Sequence, residues 1–141
     1  MAITQAMCSS FKQQILLGEH DLDTDVIKIA LYTDTATLSA ATTVYTTSGE
    51  VSSAGTNYTA GGNTLSGAVV TLDGATAVVD FSDTTWASAT ITARGALIYN
   101  SSKSNKAIAV LDFGANKSSS SGSFTISFPA AVAGSAVIQV G

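Results

Sequence analysis

His20 is the only imidazole in the chain, so any general-base or triad chemistry would have to run through it. Glu19, Asp21, Asp23 and Asp25 surround it as a compact acidic stretch. The three aspartates have the alternate spacing with which calcium loops begin. An EF-hand would next need glycine at the sixth position and glutamate at the twelfth, where this chain has Val26 and Tyr32. A solvated loop histidine with no metal is the plainer reading. A carboxylate pair for glycoside hydrolysis can be drawn from Asp80, Asp83 or Asp112, but any acidic chain offers such pairs. Gly61-Gly62 lacks the following lysine and Ser/Thr of a phosphate loop and reads as a turn. Cys8, the single cysteine, excludes an intrachain disulfide and reads as a small buried residue in nonpolar surroundings. These residues lead us to expect no catalytic site, no cofactor and no enzyme.

The totals narrow the partners. A net charge of −4 with six scattered Lys and Arg gives no basic patch for phosphate contacts, so nucleic acid is not expected as a partner. No apolar run approaches the length of a membrane span, and the first residues lack the pattern of a signal peptide, so synthesis in a cytosol is expected. Charged residues make up 11% of the chain, against about 25% in an average protein. Such a quiet surface suits either close packing by neighbours or a Ser/Thr-rich β-protein that stands alone.

What must position these residues is a set of strands. Residues 91–100 and 106–114 are apolar, β-branched runs separated by the polar insert 101–105, which predicts a core hairpin. If Asn100 faces Lys106, Arg94 lies opposite Asp112 as a structural ion pair, Ala96 meets Val110 and Ile98 meets Ile108. Both faces of that ribbon are apolar, which predicts cover on each side by a second sheet, a helix or another subunit.

The remaining elements follow in order. Ile3, Met7, Phe11 and Ile15 recur every four residues, predicting a helix over 3–18 with Thr4 as its cap and Gly18 at its end. That stripe packs on the core or serves as an arm reaching a neighbouring subunit. Residues 26–33 predict a strand, 34–41 a turn or loop, and 42–47 a further strand. Residues 48–63, holding Val51 and Tyr58, predict a long loop of the kind that carries function. A second hairpin is predicted around a type I′ turn at Asp73-Gly74, with Leu72 facing Ala75 and Val70 facing Ala77. Trp86 is expected to fill space between layers, 115–122 to form a loop, and 123–128 and 136–140 to form strands. The sum is one domain, 1–141, mainly β: an antiparallel β-sandwich or jelly roll over 25–141 with one N-terminal helix.

Five stretches resemble a family of small virion structural proteins of tailed bacteriophages. They are the opening helix motif Ala2 to Lys12, the strand Asp25 to Thr33, the turn Tyr58 to Asn63, the strand Trp86 to Ser102 and the strand Ala107 to Gly114. The resemblance spans nearly the whole chain. It implies a head decoration, or cement, protein on the outer capsid, made in the bacterial cytoplasm. The expected partners are the major capsid protein and further copies of the chain, as a trimer. Ile3, Met7, Phe11, Val51 and Tyr58 are the candidate interface residues, on the helix and the long loop. Two alternatives stay open: a tail, neck or fibre-associated component, and a carbohydrate-binding β-sandwich module, which would need an exposed row of aromatics that Tyr45, Tyr58, Trp86 and Tyr99 do not obviously form on one face.

Overall fold

The structure, a computed structural model, describes residues 2–141. In chain order the elements are β1 (Ala6–Met7), α1 (Ser9–Leu16), β2 (Ile27–Tyr32), β3 (Asn63–Thr64), β4 (Val69–Asp73) and β5 (Thr76–Asp80). After these come β6 (Thr84–Ala89), β7 (Thr92–Asn100), β8 (Lys106–Ser118), β9 (Gly122–Ile126) and β10 (Ile138–Val140). The chain is mainly β, 43% strand and 8% helical, with antiparallel sheets and one α-helix in a sandwich-like arrangement. A five-stranded sheet runs β1-β8-β7-β2-β3; a three-stranded sheet, β10-β5-β4, and the β6-β9 ribbon complete the body. One buried cluster joins them: Leu97, Ile98 and Val110 from the large sheet, Val79 and Ile138 from the small one, and Trp86 and Phe124 from the ribbon.

The predicted helix is cut in half. Residues before Ser9 are extended: Thr4 N–H donates to the Leu38 carbonyl at 2.9 Å, and Ala6 and Met7 pair with Val110 and Ala109. Thr4 is therefore no cap; Cys8 occupies that position, without a side-chain bond. A spacing of four residues is also two strand repeats, so Ile3 and Met7 satisfy either period, and pairing with β8 decides for the strand. The helix end is as expected. Gly18, at φ +72°, lets its N–H reach the Ile15 carbonyl and the Glu19 N–H reach the Gln14 carbonyl. Burial pushes the Cys8 thiol up to about 11, which fits the small buried residue expected.

The β7-β8 hairpin exists, with Asn100 opposite Lys106 and Tyr99 opposite Ala107, but its register then slips. Ile108 has no partner on β7, so Ile98 faces Ala109, Ala96 faces Leu111 and Gly95 faces Asp112. The Ile108 carbonyl instead accepts from Cys8 N–H at 2.9 Å, tying the bulge to the start of α1. With both faces apolar, a one-residue slip carries no burial penalty, so the pattern did not specify the register. Beyond a second irregularity β8 runs on to Ser118, so the expected loop 115–122 is mostly strand.

The β4-β5 register also differs from expectation. Leu72 faces Ala77 and Val70 faces Val79, so the two turn residues are Gly74 and Ala75. Gly74 is at φ +61° and Ala75 is not at positive φ. That is the arrangement of a turn with glycine first, because alanine resists the second left-handed position that a type I′ turn demands. Residues 42–47 form only a single bridge, Val44 to Lys106.

Candidate functional site

Consecutive strand residues point to opposite faces, and Tyr99 and Asn100 at the end of β7 organise two different polar clusters on the two sides of the large sheet. On one side all four tyrosines of the chain meet the loop 48–63. The Tyr99 hydroxyl donates to the Gly61 carbonyl at 2.6 Å, and its ring stacks on Tyr45 with centroids 4.8 Å apart. Tyr45 and Tyr58 donate to the two carboxylate oxygens of Glu50, each at 2.6 Å, and Gly61 N–H adds a third bond at 2.8 Å. Tyr58 also accepts from Leu31 N–H at 3.0 Å, and Tyr32 donates to the Thr46 carbonyl. Burial pushes the Tyr99 hydroxyl up to about 12, and the other three higher still, with the Glu50 charge adding to the effect. Gly62 passes so close to β2 that a Cβ there would lie 1.8 Å from the Ile29 carbonyl oxygen. The long loop is thus pinned down at several points.

On the other side Asn100, fully buried, donates to His20 Nδ1 at 3.1 Å and to Asp25 Oδ2 at 2.8 Å, while its Oδ1 accepts from Ser102 N–H. With Nδ1 accepting, His20 carries its proton on Nε2 and donates to Gln14 Oε1 at 2.8 Å; its ring packs on Phe11. Burial, then the Lys106 charge, holds His20 below the usual imidazole range, against the opposing pull of Asp25 and Glu19. Burial alone would raise Asp25, but the Asn100 amide, the Asp21 N–H and Lys103 outweigh it and hold its carboxyl below the usual range. The acidic stretch therefore forms a turn: Asp21 Oδ1 accepts from the N–H groups of Asp23 and Thr24.

The other candidate carboxylates are dispersed as local braces. Asp80 accepts from Phe81 N–H and Asp83 from Phe128 N–H. Asp112 accepts from Gly114 N–H and from Arg94 Nε at 3.0 Å, in that order of influence, and both hold its carboxyl low. Arg94 and Asp112 do touch as expected, although diagonally across the slipped register rather than directly opposite.

The candidate interface residues need correction. Ile3, Phe11, Val51 and Tyr58 are all buried in the chain's own core, and Met7 is half-buried along β8. They leave little surface for a partner. The two apolar faces of the β7-β8 ribbon are likewise covered from within the same chain. Exposed apolar side chains lie elsewhere: Val69, Val70 and Leu72 on β4, Val140 on β10, and Leu16 and Leu17 at the end of α1. Sequence reading missed them, as it missed Glu50, one of only two glutamates and set among turn residues. Comparison with known proteins finds no matching family model, no matching curated protein and no matching solved structure.

Proposed function

We propose that this chain is a structural protein of a tailed-bacteriophage virion, a decoration protein that binds the outer head shell as a symmetric oligomer and reinforces it. The observation that carries the reading is the resemblance over five stretches, and all five hold residues that bond to one another in the fold just described. Leu31 in the second stretch donates to Tyr58 in the third, and Tyr99 in the fourth donates to Gly61 in the third. Val110 and Ala109 in the fifth pair with Ala6 and Met7 in the first. The polar side chains described above are taken up in bracing turns and strands, which suits a part that adheres rather than turns over substrate. Repeated over many copies on a shell, one modest contact per subunit becomes strong by avidity.

The carbohydrate-binding alternative loses support, because Tyr58, Trp86 and Tyr99 are buried and cannot form an exposed stacking row. Quantitative mass spectrometry of purified particles from a tailed phage carrying this gene is the test. Hundreds of copies per particle, with light scattering of the isolated protein at the mass of three chains, is the expected result. A few copies would move the protein to the tail or neck, and absence from the particle would overturn the proposal.

A further inference from the structure

β4 is an open edge. In the order β10-β5-β4 nothing pairs with its outer side, and all five of its residues are exposed, with Val70 49% and Leu72 70% accessible. Asp73 and Thr76 flank a two-residue turn, and such flanking residues bond to each other. Asp73, Thr71 and Val69 therefore bond inward to β5, while the N–H and C=O groups of Val70 and Leu72 point outward. Among the described residues no backbone group bonds to them from that side. Sheet edges of this kind are usually protected by lysine, proline or a bulge; β4 reads Val-Val-Thr-Leu-Asp and has none of these.

The edge continues into an apolar groove. The rows Val70-Val79-Ile138 and Leu72-Ala77-Val140 form one face of the small sheet. Phe11, Ile15 and Leu22 stand across from it around a cavity of about 430 Å³, whose rim carries Asp21 and Asp23. Lys103 and Lys106 lie close to His20 in the groove wall but are engaged in ion pairs, and the charge left over near this sheet is acidic. None of the six Lys and Arg lies between residues 65 and 93 or after 117, whereas Asp73 and Asp80 sit on this sheet. Among the described residues the cations that form ion pairs, Arg94, Lys103 and Lys106, meet Asp112, Asp25 and Glu19, and none meets Asp21, Asp23, Asp73 or Asp80.

We propose that β4 is a docking edge for an extended, positively charged segment of another protein, apolar at alternate positions, which adds to the small sheet as a fourth strand. Main-chain bonds to Val70 and Leu72 give the affinity, the groove receives alternate apolar side chains, and the lysine or arginine residues between them face the side of the sheet that carries Asp73 and Asp80. Charge selects this occupant over a second copy. Two β4 strands paired antiparallel about Thr71 would set an Asp73 of one copy two strands from the Asp80 of the other at each end of the pair, adding carboxylates and no cation. The inference does not depend on the virion reading.

The test is titration of the ¹⁵N-labelled full chain with an end-capped Lys-Val-Lys-Val-Lys-Val-Lys peptide. Binding is expected to saturate, weaken with salt and slow the hydrogen exchange of the Val70 and Leu72 amides. A glutamate-for-lysine peptide, and one N-methylated at alternate amides, should each bind at least about tenfold more weakly. Val70→Pro removes an outward N–H at an edge position where proline is tolerated, and Leu72→Lys leaves the backbone intact; both should abolish binding. Equal binding of the glutamate peptide, protection elsewhere, or no saturation at millimolar peptide would overturn the proposal. So would a dimer that Leu72→Lys dissolves in sedimentation, which assigns the edge to a second copy.

Discussion

Replacing Asn100 with alanine probes the join between α1, the acidic turn and the tip of the β7-β8 hairpin. The side chain is fully buried and makes three hydrogen bonds: to His20, to the Asp25 carboxylate and from Ser102 N–H. Neutral bonds contribute about 1 kcal/mol each and a bond to a charged group about 1.5–3. His20 and Ser102 are accessible enough to recover a bond to water, so the net loss should be about 3 kcal/mol, read from urea unfolding at pH 8. The same variant should change the pH dependence. In the native protein an Asn100 N–H aims at His20 Nδ1, where a second proton would have to go. The folded pKa of His20 lies below the unfolded value, so as pH falls through about 6.5 the unfolded chain takes up a proton first and stability drops. The drop continues until the pH reaches the lowered folded pKa and then levels. Removing the opposing N–H should flatten that slope between pH 7 and 5, whereas Asp25, also lowered, acts only on the more acid side. A loss under about 1 kcal/mol with the slope intact would refute the bonding scheme.

Two further substitutions test the tyrosine side. Gly62→Ala sets a Cβ 1.8 Å from the Ile29 carbonyl at φ +79°, and should cost more than about 3 kcal/mol. Gly74→Ala, at φ +61° with open space around it, should cost only about 1 kcal/mol; similar thermal shifts for the two would contradict the close approach to β2. Glu50→Gln leaves one acceptor oxygen for Tyr45, Tyr58 and Gly61, and should cost about 2–3 kcal/mol and open residues 51–60 to limited proteolysis. An unchanged cleavage pattern would show that the loop is held by something other than that carboxylate.

Much of the architecture was legible because strand-forming runs and turn residues act locally. The class, both hairpins, the turn at Gly61-Gly62 and the end of α1 at Gly18 all follow from neighbouring residue types, while the Arg94–Asp112 contact survives the slipped register because the long arginine side chain reaches diagonally. The failures came where a pattern permitted two answers. Ile3 and Met7 fit helix and strand alike, and only pairing with Leu38 and with β8, more than a hundred residues away, separates the two. The ladder of apolar residues on both faces of β7 and β8 fits neighbouring registers equally well, so the Ile108 bulge had no signature. Glu50 has none either, because its three donors come from separate places, Tyr45 before the loop and Tyr58 and Gly61 within it.

The surface was the least legible part, for a reason that bears on function. β4, Val-Val-Thr-Leu-Asp, and β5, Thr-Ala-Val-Val-Asp, are alike in apolar and β-branched content, and nothing in the sequence says which strand of the hairpin will lie outside. That depends on where β10 lands, and β10 pairs with β5 through Ile138, Gln139 and Val140. The last residues of the chain therefore decide that β5 is central and β4 exposed. An apolar strand left uncovered in this way, in a chain whose longer ribbon is wrapped on both faces by its own core, points to contact with another molecule at β4 and not at the helix stripe and long loop that the sequence put forward.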